Sequence, residues 1–237
     1  MANIKKLIQS PAFGQLLKLE SSLDGADRTF MLLQYGSGLI AALAAKGAVP
    51  LSLTAIKRLD VIKSKCSEWR TIGRFLGLLA MARWGASLTR QTPWSEWLRW
   101  ASITLYYPCE HLAYLSSIGV LSLSPLQRAR LSIYAVRLWG IYLVIEIHRM
   151  IKQLGLDQKA KAQIGLKSTL KGDKKEQKVL SKQEALVAEN NLNSQVAYFP
   201  MALHWGTPGG LLSPPWTDLL PFLAGYYALK KSWALSG

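Results

Sequence analysis

At 237 residues the chain is long enough for one large domain or two small ones, and half of it is hydrophobic. It nevertheless carries a formal net charge of +15 and a pI near 9.9, a pairing that asks for a negatively charged partner, either nucleic acid or an anionic lipid surface. Two cysteines, Cys66 and Cys109, suggest neither a disulfide framework nor a metal site, and nine Trp with nine Tyr favour a membrane interface.

Ser10-Pro11 opens a short helix predicted over 11–22, with serine as cap and proline in the first turn. Asp24, Gly25 and Asp27 break and restart the chain, and a second helix is predicted from Asp27 to Lys46. Its stretch TFMLLQYGSGLIAALAA holds no charge for 17 residues, which suits a membrane span and a buried core helix equally. Pro50 ends that unit, and Thr54 caps a third helix. There Leu59, Ile62, Cys66, Trp69, Gly73 and Leu76 share one side, with Lys57, Asp60, Lys63, Arg70 and Arg74 largely opposite. Val61 and Ile72 break that stripe. Beyond Arg74 the sequence is apolar nearly all round, so the helix predicted over 54–84 starts at a surface and finishes buried.

Another helix is predicted from Trp94, aromatic-rich and interrupted by Pro108. Ser124-Pro125 precedes a helix over Leu126 to Leu154, with Arg137 and Glu146 inside an apolar run. Residues 157–195 hold eight Lys, five acids and no aromatic residue, so 156–195 reads as a charged Lys-rich linker with a helical piece around SKQEALVAEN. The apolar character returns over 196–237, predicted to be a C-terminal membrane segment. Asp218 is its one acid, Pro214, Pro215 and Pro221 kink it, and Lys230-Lys231 keep its end on the cytosolic side. No strand alternation and no repeat stands out. The expected fold is all-α: a helical, membrane-associated unit over 1–155, the linker, and the C-terminal segment.

Catalysis finds no support. His111, His148 and His204 lack the spacing of a zinc-binding helix, and neither a nucleophile elbow nor a phosphate loop is present, so no enzyme activity, metal or cofactor is expected. Glu110, Arg137 and Glu146 sit in apolar surroundings where an unpaired charge is costly, and a Glu110–Arg137 ion pair between helices is predicted. Gly73 and Gly77 in GRFLG match a small-xxx-small pattern, for close packing within one chain or between copies. The stretch 56–77 sets Lys57, Arg58, Lys63, Lys65, Arg70 and Arg74 against Asp60 and Glu68. Nucleic acid would ask for polar companions, whereas these are Leu59, Ile62 and Trp69. Two readings remain open: an interfacial membrane helix, or a bundle helix with a solvated basic face.

Four segments in order resemble the peroxisomal biogenesis factor 11 family of membrane-elongation proteins. Gly25, Asp27 and Arg28 followed by Gln34-Tyr35-Gly36-Ser37 are similar to its N-terminal signature. Arg70, Arg74, Phe75 and Leu76 are similar to its basic R-x-x-x-R-F-L helix. Glu110, His111 and Gly119 are similar to its Asp/Glu-His segment, and MALHWGTPGGLLSPPW looks like the C-terminal membrane segment of fungal members.

The resemblance implies a helical protein of the peroxisomal membrane with both termini in the cytosol and no catalytic, metal or cofactor residues. It implies that the basic helix binds anionic phospholipid and curves the membrane, that copies form homo-oligomers, and that division machinery is recruited. The membrane-binding residues would be Lys57, Arg58, Leu59, Ile62, Lys63, Lys65, Trp69, Arg70, Arg74 and Leu76. The expected function is peroxisome elongation, division and proliferation; the alternative is a peroxisomal membrane channel for small solutes along Glu110, Arg137 and Glu146.

Overall fold

The computed structural model describes residues 2–167 and 181–236. Among them every regular element is a helix, and the expected all-α fold is the one observed. The helices are α1 (Ala2–Ile8), α2 (Pro11–Glu20), α3 (Leu23–Ala45), α4 (Leu53–Gly73), α5 (Gly77–Ser87), α6 (Trp94–Ser117), α7 (Pro125–Lys167), α8 (Lys182–Trp205) and α9 (Pro214–Ser236), with a 3-10 turn at Arg74–Leu76 between α4 and α5. Residues 168–180 of the predicted linker lie outside the described residues.

Serines start most of these helices. Ser10, Ser22 and Ser52 each accept the backbone N–H three residues on, which satisfies one of the orphan donors of a first turn. Ser181 and Glu184 make a reciprocal capping box for α8, so the helical piece expected near SKQEALVAEN is the opening of a longer helix. Two starts differ from the sequence reading. Helix α3 begins at Leu23, because Ser22 caps it and Asp24 sits well in a first turn. Helix α4 is capped by Ser52 in place of Thr54. The single helix predicted over 54–84 is broken by the 3-10 turn, flanked by Gly73 and Gly77, which tolerate departures from α geometry.

The prolines break less than expected. Pro108, Pro200 and Pro221 all lie inside helices, and Pro221 is fully buried. The α8–α9 turn holds Gly209 and Gly210 at φ 84° and 72°, where a side chain is disfavoured. His204 closes it: its Nδ1 accepts the backbone N–H groups of Leu211 and Leu212 at 2.7 and 2.9 Å.

The helices form a ring. Helix α4 packs on α3, α3 on α9, α9 on α8, α8 on α7 and α7 on α6, while α5 and the 3-10 turn lean back on α6. The buried residues are mostly small or polar. Alanines and methionines such as Met31, Met150 and Met201 share the interior with Arg70, Glu146, Asn190 and Asp218. Large apolar side chains point outward, with Leu53 78%, Trp94 75% and Leu79 72% exposed. Helix α7 shows the sorting along its length. Ala135, Leu143, Glu146 and Met150 are buried; Tyr134, Ile141, Val144 and Ile151 form an opposite exposed stripe at three- and seven-residue spacing. A water-soluble bundle puts its large apolar residues on the inner stripe, and this distribution is the reverse.

Candidate membrane surface and central cleft

Helix α4 turns one face to the bundle and one away from it. Cys66 and Arg70 are buried, and Leu59, Lys63, Trp69, Gly73 and Arg74 are partly covered on the same side. Lys57, Arg58, Val61, Ile62, Lys65, Ile72 and Leu76 are exposed. Among the residues assigned to membrane binding from sequence, only Lys57, Arg58, Ile62, Lys65 and Leu76 therefore stand outward. Trp69 stacks on Phe30 with ring centroids 4.1 Å apart, inside the bundle. Val61 and Ile72, which spoil the apolar stripe in the sequence, are 60% and 52% exposed on the outer face. Their position among lysines was the available signal: an apolar residue on a basic face is what an interfacial helix presents.

The inward basic residues each bind a different helix. Lys63 Nζ donates to Asp218 Oδ2 of α9 at 2.9 Å. Gly38 makes room for that carboxylate, since a Cβ there would stand 2.5 Å from Asp218 Oδ1. Arg70 Nε donates to Asp27 Oδ1 and its Nη1 to Gln34 Oε1, both at 2.9 Å on α3. Arg74 grips Glu110 of α6 with two parallel bonds of 2.7 Å, and the Tyr106 hydroxyl donates to the same carboxylate at 2.5 Å. Burial alone would lower the pKa of Arg74, but Tyr106 and Glu110 outweigh it and hold the guanidinium above its ordinary value. Arg70 follows the same pattern, with Tyr198, Asp27 and Tyr35 outweighing burial. Both arginines are fixed cations of the interior.

The predicted Glu110–Arg137 ion pair is not formed. Glu110 is taken by Arg74, and Arg137 Nε donates to the Gly206 carbonyl at 2.9 Å. Sequence apolarity around both residues hid the nearer partner, because Arg74 was counted on the outer face. Glu146 is bound by Arg99 and Arg149, and Arg99 also pairs with Glu96. Neither carboxylate that the channel alternative invokes is unpaired. Among the described residues no three His, Cys, Asp or Glu side chains gather as a metal site.

The two glycines of GRFLG have unequal roles. A Cβ on Gly77 would meet the Tyr107 ring at 2.5 Å, whereas one on Gly73 would meet nothing within 4 Å. Gly77 thus sets a close approach within the chain, between α5 and α6. Gly77→Ala is expected to cost about 1–3 kcal/mol through overpacking. Gly73→Ala should be neutral or gain up to about 1 kcal/mol from helix propensity. Thermal melts of the two full-length variants check the contrast, and equal losses would contradict this packing.

Three segments distant in sequence meet at this network. Asp27, Gln34 and Tyr35 from α3 face Arg70, and Phe75, next to Arg74, stacks on His111 of α6 with centroids 3.9 Å apart. Burial pushes the His111 imidazole below its ordinary pKa. The network borders a central cleft of about 1020 Å³ lined from α3 through α8, with Trp139 and Trp205 on its wall.

The family model described as Peroxisomal biogenesis factor 11 matches residues 13–201, and the chain belongs to that family. No curated protein and no solved structure matches it. Membership gives the chain a role in peroxisome biogenesis, in a family of biogenesis factors and not of enzymes.

Proposed function

We propose that this peroxisomal biogenesis factor 11 family protein resides in the peroxisomal membrane and elongates it ahead of division, with α4 lying along the boundary between head groups and acyl chains. The observation that carries the reading is the outer face of α4 and of the 3-10 turn that follows it, where Lys57, Arg58 and Lys65 alternate with Val61, Ile62, Ile72 and Leu76, all exposed. Lysine and arginine stems reach back to head groups while the branched side chains enter the acyl region. Insertion from one side expands one leaflet and bends it.

The outward apolar stripes of the bundle support residence in lipid. Helix α7 holds the one segment among the described residues long and apolar enough to cross a bilayer, Pro125–Gly155, and only 17% of its most apolar window is buried in the protein. In this reading α9, docked on α3 and α8, helps to hold the protein in the membrane, homo-oligomers concentrate the bending, and the division machinery acts on the elongated organelle. The experiment is overproduction of the tagged full-length protein. Expected are elongated peroxisomes and retention in the membrane after alkaline extraction; round peroxisomes with extractable protein would overturn the reading.

A further inference from the structure

The central cleft has the size of a ligand site, at the upper end of the 300–1,000 Å³ usual for small-molecule pockets. Its charges do not cancel. Asp24, Asp27 and Glu110 face it from α3 and α6, against the four guanidiniums of Arg28, Arg70, Arg74 and Arg128. Arg70 and Arg74 are saturated by their partners. The Arg128 side chain, in the first turns of α7, has no hydrogen-bond or ion-pair partner among the described residues, and Arg28 leaves a buried Nε–H without an acceptor. The lining also holds the apolar and aromatic residues Ile103, Ala135, Val136, Trp139 and Trp205. An unmatched guanidinium at one part of a cleft and indole walls at another suit a molecule with one anionic head and one long apolar chain. Arginine favours a phosphate, whose oxygens match its planar fork.

We propose that the cleft binds one single-chain amphiphile with a phosphate head, the phosphate on Arg128 and the chain against Trp139 and Trp205. The site excludes Lys57, Arg58, Val61, Ile62, Lys65 and Ile72 of the outer face of α4, meeting that face only at Leu76, and it rests on the membrane reading only for the source of the ligand. A lipid in this position joins the helices of the ring through a part of the molecule that the membrane-bending face does not use.

The test uses the full-length protein in nanodiscs of zwitterionic lipid, titrated with lysophosphatidic acid carrying a brominated chain. Tryptophan quenching that unbrominated lysophosphatidic acid displaces is the readout. Saturable quenching at one ligand per chain is expected, with affinity at least tenfold lower in Arg128→Gln and unchanged in Arg130→Gln, an exposed neighbour on α7. Ala135→Trp, which fills the buried lining, should abolish it in a protein whose helical signal is intact. Lysophosphatidylcholine with the same chain should bind at least tenfold more weakly. Equal affinities of Arg128→Gln and Arg130→Gln would overturn the proposal, as would millimolar inorganic phosphate displacing the amphiphile. A variant with serine at 61, 62 and 72, none of which lines the cleft, should keep the cleft quenching, so failure of membrane bending and failure of the cleft are read apart.

Discussion

Arg74→Gln and Glu110→Gln are each expected to destabilise the full-length protein by about 3 kcal/mol, the scale on which one partner of a buried ion pair leaves the other stranded. The side chains are 28% and 18% exposed, so water screens the survivor little. Losing Arg74 strands a carboxylate that keeps only the Tyr106 hydroxyl; losing Glu110 strands a guanidinium beside a phenol that donates to the same acid. The double variant Arg74→Gln with Glu110→Gln should lose less than the sum by about 2 kcal/mol, because it removes both charges together. Arg137→Gln, paired with Glu110→Gln in a second cycle, should be additive, since Arg137 bonds only the Gly206 carbonyl. Melting of the five variants in one detergent measures both cycles. Coupling of Glu110 to Arg137 and not to Arg74 would contradict the packing of the 3-10 turn on α6.

The all-α fold was legible because its signals are local. Serine caps, the uncharged run of α3 and the aromatic run of α6 each announce a helix without reference to any other segment. The faces were not legible. Periodicity gives the relative phase of residues around a helix but not which side meets the bundle. In an ordinary soluble bundle the apolar side goes in, and that assumption placed Arg70 and Arg74 outside. Here the interior accepts arginine because Asp27, Gln34 and Glu110 meet it there, supplied by residues 36 to 43 positions away in the chain. Pairing at that separation leaves no mark in a local pattern. Pro221 misled for a related reason. Proline in a helix interior costs about 3 kcal/mol in isolation, but the bundle closes over this one, and α9 runs on through it to Ser236.

In the proposed reading, redistributing the charges also changes what would drive α4 onto a membrane. The sequence offers six basic residues against two acids, a surplus of four. With Lys63, Arg70 and Arg74 turned inward, Lys57, Arg58 and Lys65 remain against Asp60 and Glu68, a surplus of one. At about 1 kcal/mol per basic residue near an anionic leaflet, attraction falls from about 4 to about 1 kcal/mol. Val61, Ile62, Ile72 and Leu76 are each about half exposed, and sinking the remainder into acyl chains contributes about 1 kcal/mol apiece. Insertion therefore outweighs charge. The variant with serine at all four positions should remain folded, because exposed substitutions cost little, yet fail to elongate proteoliposomes of any lipid charge. Lys57→Glu, Arg58→Glu and Lys65→Glu together shift the face by six charges, about 6 kcal/mol against an anionic leaflet, and should abolish elongation there. On zwitterionic vesicles the same protein should elongate as well as the wild type, since its apolar side chains are intact. Electron microscopy of the reconstituted full-length proteins reads both. Tubules formed by the serine variant at the wild-type frequency would remove the wedge, leaving α4 as a bundle helix whose outer lysines serve only solubility.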